Sequence, residues 1–76
     1  MISKKQFHTI DEVQKLQYLA TQCEADVSLQ SLDSSKIIDA KSYIGFYALD
    51  FRQPILVVCD DADFHKAIRE IGETVE

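Results

Sequence analysis

The chain reads as an α+β fold, an antiparallel sheet with its helices on one face. Three observations predict it. Apolar residues alternate at the strand period over residues 2–8 and 27–32. They recur at spacings of three and four over residues 13–23 and 64–75, the period of a helix with one buried face. Between the first strand and the first helix stands Thr9-Ile10-Asp11-Glu12, a Thr-x-x-Glu capping box. The resulting order is strand, helix, strand, strand, helix, strand, helix. Helices segregated to one face of such a sheet make an open-faced, two-layer domain.

The elements follow in order. Residues 2–8 form the first strand, with Phe7 its clearest inward residue. The capping box opens a helix whose Val13, Leu16, Ala20 and Cys23 line one face, widened by Leu19. Lys15, Gln17, Gln22 and Glu24 are expected to face water. Val27, Leu29 and Ser31 alternate with Ser28, Gln30 and Leu32 in a half-buried strand. Asp33-Ser34-Ser35 turns the chain, and Lys36 to Ala40 returns as the second arm of a hairpin. Ser42 to Leu49 reads as a short helix with Phe46 and Leu49 inward. Pro54 precedes a fourth strand, Ile55 to Cys59, where the missing amide costs least. Asp60, Asp61 and Asp63 supply acids at the positive end of a last helix. Its stripe is Phe64, Ile68, Ile71 and Val75, with Gly72 near a frayed end. Leu56 and Val58 point to the uncovered face of the sheet, either tolerated there or covered by another chain.

With 76 residues there is room for one domain, residues 1–76, and one modest core. A hydrophobic fraction of 46% suits a globular fold, and only two glycines and one proline leave room for short loops alone. The net charge of −5 argues against a nucleic-acid partner, because neutralising phosphates needs a basic surface. Lys4 and Lys5 make only a small basic spot, expected to be solvated. The longest apolar run, Ile55 to Cys59, is far short of the ~20 residues of a spanning helix. The first residues, Met-Ile-Ser-Lys-Lys, lack the apolar region of a signal peptide. A cytoplasmic protein is expected, with no membrane partner. Cys23 and Cys59 lie at core positions and make no metal motif, so they are expected to be inert thiols.

The element order, together with Lys41-Ser42-Tyr-Ile-Gly-Phe-Tyr-Ala-Leu49, resembles the HPr family, the small phosphocarrier proteins of the bacterial sugar phosphotransferase system. The likeness runs over most of the chain and is strongest from Ala25 to Phe51. It implies a four-stranded antiparallel sheet carrying three helices on one side. The family's chemistry rests on a histidine in a loop before the first helix, followed by arginine and proline. Here the departure is plain. Aligning the first helix puts Thr9 at the histidine position, Asp11 at the arginine and Glu12 at the proline, and about six residues of the family's N-terminal strand and loop are missing. His8-Thr9 imitates the motif without its arginine and proline. A phosphohistidine needs a free ring nitrogen and cationic or amide donors for its oxygens, and acids at the helix start repel it. His8 is therefore only a weak phosphoacceptor candidate.

Ser42 matches the position that a dedicated kinase modifies in many Gram-positive members of the family. As a helix N-cap it would contribute roughly 1 kcal/mol without any regulation. A phosphate there would meet orphan amides and the helix dipole, with Lys41 adjacent. Tyr43, Ile44 and Tyr47 match positions that form an apolar docking patch in the family, which makes Lys41, Tyr43, Ile44 and Tyr47 the expected partner surface.

The reading is an HPr-like binding or regulatory module without carrier chemistry, acting through the Ser42 helix. Its partners would be proteins, either phosphotransferase components or a serine kinase. The alternative is a genuine phosphocarrier with a rebuilt site at His8. An enzyme is disfavoured. No metal cluster, Gly-rich loop or Ser/His/acid set appears, and His65 beside Lys66 reads as solvent-facing. No cofactor or metal is expected. A ferredoxin-like α+β domain would share the element order, and the Lys41–Leu49 pattern decides against it.

Overall fold

A computed structural model describes residues 1–42 and 49–75. Strand β1 (Ile2–Gln6) leads into helix α1 (Ile10–Gln22), then strands β2 (Ser28–Ser31), β3 (Ile37–Asp39) and β4 (Ile55–Val58). Helix α2 (Ala62–Ile68) and a short strand β5 (Glu73–Thr74) complete the described residues. The sheet order is β3-β2-β4-β1-β5, and every pairing is antiparallel. The α+β architecture is as the sequence predicts. Among the described residues the sheet has five strands instead of four, and two helices accompany it. The expected helix at 42–49 lies almost wholly outside them.

Register assigns the two faces of the sheet. Ser3 pairs with Val57 and Lys5 with Ile55, while Leu29 pairs with Val57 across β2. These residues share the face that meets the helices, since neighbours on a strand alternate sides. On it, Leu29, Ile55 and Val57 join Val13, Leu16 and Ala20 of α1 and Phe64 and Ile68 of α2 in one core. The opposite face carries half-buried Leu56 and Val58, as expected, together with Ile2 and Ile37, which are 65% and 62% exposed.

Local chemistry sets the ends of the elements. Thr9 caps α1: its hydroxyl accepts from the Glu12 amide at 3.2 Å, and the Glu12 side chain answers the Thr9 amide at 3.1 Å. In the hairpin, Ser34 takes the left-handed conformation (φ 61°). The Ser35 amide, helped by the hydroxyls of Ser31 and Ser35, holds the Asp33 carboxyl down at about 2. Asp61 caps α2 by accepting from the Asp63 amide at 2.9 Å.

The last helix is shorter than its apolar stripe suggests. Phe64 and Ile68 lie on it, but Arg69 ends it, Ile71 is buried beyond it and Val75 follows β5. Gly72 makes the difference. It has φ 63°, and a Cβ there would stand 2.7 Å from the Gln6 carbonyl oxygen and 3.0 Å from the Phe7 ring. Only glycine takes this backbone conformation at such close approach without strain. The turn brings Glu73 and Thr74 alongside Gln6 and Lys5 as the fifth strand.

Three polar residues also depart from expectation. Lys5 is fully buried, because strand parity puts it on the core face with Phe7. Its Nζ reaches the sheet edge and donates to Thr74 Oγ1 at 3.1 Å. Gln17 is 6% exposed and not water-facing, four residues from Val13 and three from Ala20 on the buried side of α1. Its Nε2 has no hydrogen-bond partner among the described residues. His65 is likewise 6% exposed, not solvent-facing.

The Gly72 turn generates a test. Were Gly72 the frayed end of a helix, alanine there would be neutral or favourable. With φ positive and the Gln6 carbonyl in the way, Gly72→Ala is expected to destabilise the fold by about 1 kcal/mol or more, read from urea unfolding.

Candidate functional site

The region around His8 is built by the end of β1 and the start of α1. His8 stands just beyond Phe7 after the end of β1 and is exposed, its Nε2 standing 3.4 Å from a Glu73 carboxylate oxygen. Beneath it the Glu12 carboxylate collects backbone amides. Oε1 accepts from His8 at 2.6 Å and from Thr9 at 3.1 Å, and Oε2 accepts from Gly72 at 3.1 Å. The His8 amide, against the opposing effect of burial and with help from the Thr9 and Gly72 amides, holds the Glu12 carboxyl below the usual carboxylate range. The charge also reaches Lys5. Burial pushes that amine below its ordinary range, and Glu12 opposes the push.

A shallow groove runs beside His8, lined by Gln6, Phe7, Ile10, Phe51 and Arg52 among others. Phe7 and Phe51 meet edge to face with centroids 6.2 Å apart. The Gln6 side-chain amide donates to the carbonyls of Phe51 and Arg52 at 3.3 and 3.2 Å. Those contacts tie the chain after Leu49 to the end of β1. Arg52 is the cation of the groove, and its guanidinium is committed to Asp50 through bonds of 3.0 and 3.2 Å. That pairing holds the Asp50 carboxyl below its usual range and the Arg52 guanidinium above its own.

Ser42 stands elsewhere. Beyond β3 the Ala40 amide donates to the Val27 carbonyl at 2.9 Å and buries Ala40 in the core. The Lys41 amide donates to Asp39 Oδ1 at 2.9 Å and the Ser42 amide to the Asp39 carbonyl at 3.0 Å, which closes a tight turn after β3. Ser42 is exposed and Lys41 half-buried. Asp39 shares a register row with Ser28, Val58 and Ile2, the first residue of β1, whereas His8 lies beyond the other end of that strand. The chain therefore leaves the sheet toward Ser42 and toward His8 from opposite ends. Tyr43, Ile44 and Tyr47, the rest of the expected partner surface, lie outside the described residues.

Two further clusters were not legible as such in the sequence. His65 Nε2–H donates to the Cys59 carbonyl at 2.7 Å, which leaves Nδ1 to accept from the Ser3 hydroxyl at 2.6 Å. The imidazole thus pins α2 to β1 and to the end of β4. Its signal was the spacing of three to Ile68. The second cluster joins Cys23, Cys59 and Asp61. Cys23 Sγ donates to Asp61 Oδ2 at 3.6 Å, and the Asp61 amide donates to Cys59 Sγ at 3.4 Å. Cys59 is buried as expected, while Cys23 is only half-buried. Burial, with the neighbouring Cys59 and Asp61, pushes the Cys23 thiol up. Among the described residues no group of three or more His, Cys, Asp or Glu side chains is arranged to hold a metal ion. No helix among them is long and apolar enough to cross a membrane.

Compared with protein-family models, curated proteins and solved structures, the chain finds no match.

The Glu12 cluster generates a pH prediction. A carboxyl whose folded pKa is depressed contributes stability above its unfolded value, and that contribution is lost as pH falls through the folded value. Stability should therefore decline as the pH drops below the ordinary value of 4.5. Glu12→Gln is expected to be less stable at neutral pH and to show a shallower acid decline, measured as urea midpoints across that range.

Proposed function

We propose that this chain is an HPr-like binding or regulatory module without phosphocarrier chemistry, acting through the surface that begins at Lys41 and Ser42. The Lys41–Leu49 pattern supports the family likeness, and the antiparallel α+β sheet is compatible with it. The exposure of Ser42, at the end of the turn ordered by Asp39, supports a surface role for this position.

One observation carries the rejection of carrier chemistry. A phosphohistidine at the start of α1 needs the backbone amides there, or a nearby cation, to hold its oxygens. The amides of His8 and Thr9 already donate to the Glu12 carboxylate. The His8 ring faces the Glu73 carboxylate, and Arg52 is paired with Asp50. A phosphoryl group on His8 would meet two carboxylates in place of donors. The runner-up reading, a carrier rebuilt at His8, draws on the exposure of that ring beside a groove that contains Arg52. The partners proposed are proteins: components of the phosphotransferase system, or a serine kinase that modifies Ser42.

Phosphotransfer separates the readings. The protein is incubated with phosphoenolpyruvate and the first enzyme of the cascade, and its mass is measured. No gain of phosphate is expected. An acid-labile phosphate that disappears in His8→Ala would establish the carrier reading instead. In parallel, the serine kinase with ATP is expected to add an acid-stable phosphate that Ser42→Ala abolishes. Its absence with an active kinase removes regulation at Ser42 from the proposal.

A further inference from the structure

We propose that Cys23 and Cys59 form a reversible dithiol–disulfide pair that exchanges with small-molecule disulfides of the oxidised-glutathione class. The pair is distant in sequence and assembled by the fold. Cys23 is the C-cap of α1, and Cys59 directly follows β4. Asp61 gathers both: its Oδ2 accepts from Cys23 Sγ at 3.6 Å, and its amide donates to Cys59 Sγ at 3.4 Å. Both sulfurs thus lie within 3.6 Å of atoms of the same residue. To bond, the sulfurs must close to about 2.05 Å, with the two Cα atoms about 4.4–6.8 Å apart.

Burial divides the roles. Cys23 is half-buried and can meet an external disulfide, whereas Cys59 is 2% exposed. Cys59 needs no access to solvent, because its target is the sulfur of Cys23. In the first step the Cys23 thiol loses its proton to solvent and attacks one sulfur of the small disulfide. A Cys23 mixed disulfide forms, and one small thiolate leaves and takes up a proton. In the second step the Cys59 thiol, deprotonated in turn, attacks the Cys23 sulfur and expels the second small thiol. The protein loses two protons and two electrons, and one small disulfide takes them up to become two small thiols.

The bond would staple the end of α1 to the β4–α2 connection. The loop it closes contains β2, β3, the Lys41–Ser42 turn and β4. Closing it restricts the unfolded chain and so stabilises the fold, while it removes the Cys23 hydrogen bond to Asp61.

The test equilibrates the full chain with glutathione buffers from reducing to oxidising. Free thiols are then alkylated in denaturant, and intact mass is recorded with peptide mapping. The expected product at oxidising ratios is a monomer lighter by two hydrogens that takes up no alkylating agent. Its peptides map to a Cys23–Cys59 link, dithiothreitol reverses it, and its thermal midpoint is higher. Cys59→Ala should stop at the Cys23 mixed disulfide. The proposal is overturned if the wild-type chain takes up alkylating agent on both cysteines at every ratio, stops at the mixed disulfide, or links two chains. These outcomes are read on the wild-type protein, so they stand even if the variant does not fold.

Discussion

The carboxylate of Glu12 is the point on which this small fold turns. It lies where a helix start leaves amides without partners, and it answers three of them, from His8, Thr9 and Gly72. Those amides belong to two pieces of chain far apart in sequence: the His8–Thr9 connection that leads from β1 to the cap of α1, and the turn into β5. One side chain therefore sets where the first helix begins and where the last strand is laid down. A carboxylate accepting several backbone amides is stabilised in its charged form, which is why its proton affinity falls. The same charge faces the buried Lys5, whose ammonium ends on Thr74 of β5. The fifth strand is thus held by a hydrogen-bonded ladder to β1, by the Glu12–Gly72 bond and by the Lys5–Thr74 bond.

This arrangement bears on the proposed function. The amides at the start of α1 are the natural place for a phosphoryl group, and Glu12 occupies that place with an internal anion. Structure and carrier chemistry compete there for the same donors. The proposed binding surface lies instead past β3, where Asp39 orders the turn through Lys41 and Ser42. The chain departs for His8 and for Ser42 from opposite ends of the sheet, so a partner engaging Ser42 need not engage His8.

Much of the fold was legible in the sequence because it rests on local chemistry. The Thr9–Glu12 box, the acids that open α2, the Asp33–Ser35 turn and the faces of Leu29 and Val57 all follow from spacing and residue type. What was not legible depends on long-range pairing. Gly72 looked like a frayed helix end because its positive φ is imposed by the approach of Gln6 and Phe7, far away in sequence. Lys5 looked solvated because lysine usually is, yet strand parity with Phe7 was the signal that it faces inward. His65 and Gln17 each sit at helical spacing from the apolar stripe, and their polarity masked that position. Cys23 and Cys59 are joined by Asp61 only once α1 and α2 pack together. For the candidate site, the pattern pointed to residues 41–47, of which the described part is the turn that presents Lys41 and Ser42.

The measurement that tests the role of Glu12 most directly is an amide chemical-shift titration by nuclear magnetic resonance in acid. If one carboxylate holds all three donors, the amide protons of His8, Thr9 and Gly72 should move together, with one shared midpoint below the ordinary carboxylate value of 4.5. Glu12→Gln should abolish that shared transition. Separate midpoints for the three amides, or a common one at the ordinary value, would contradict the account.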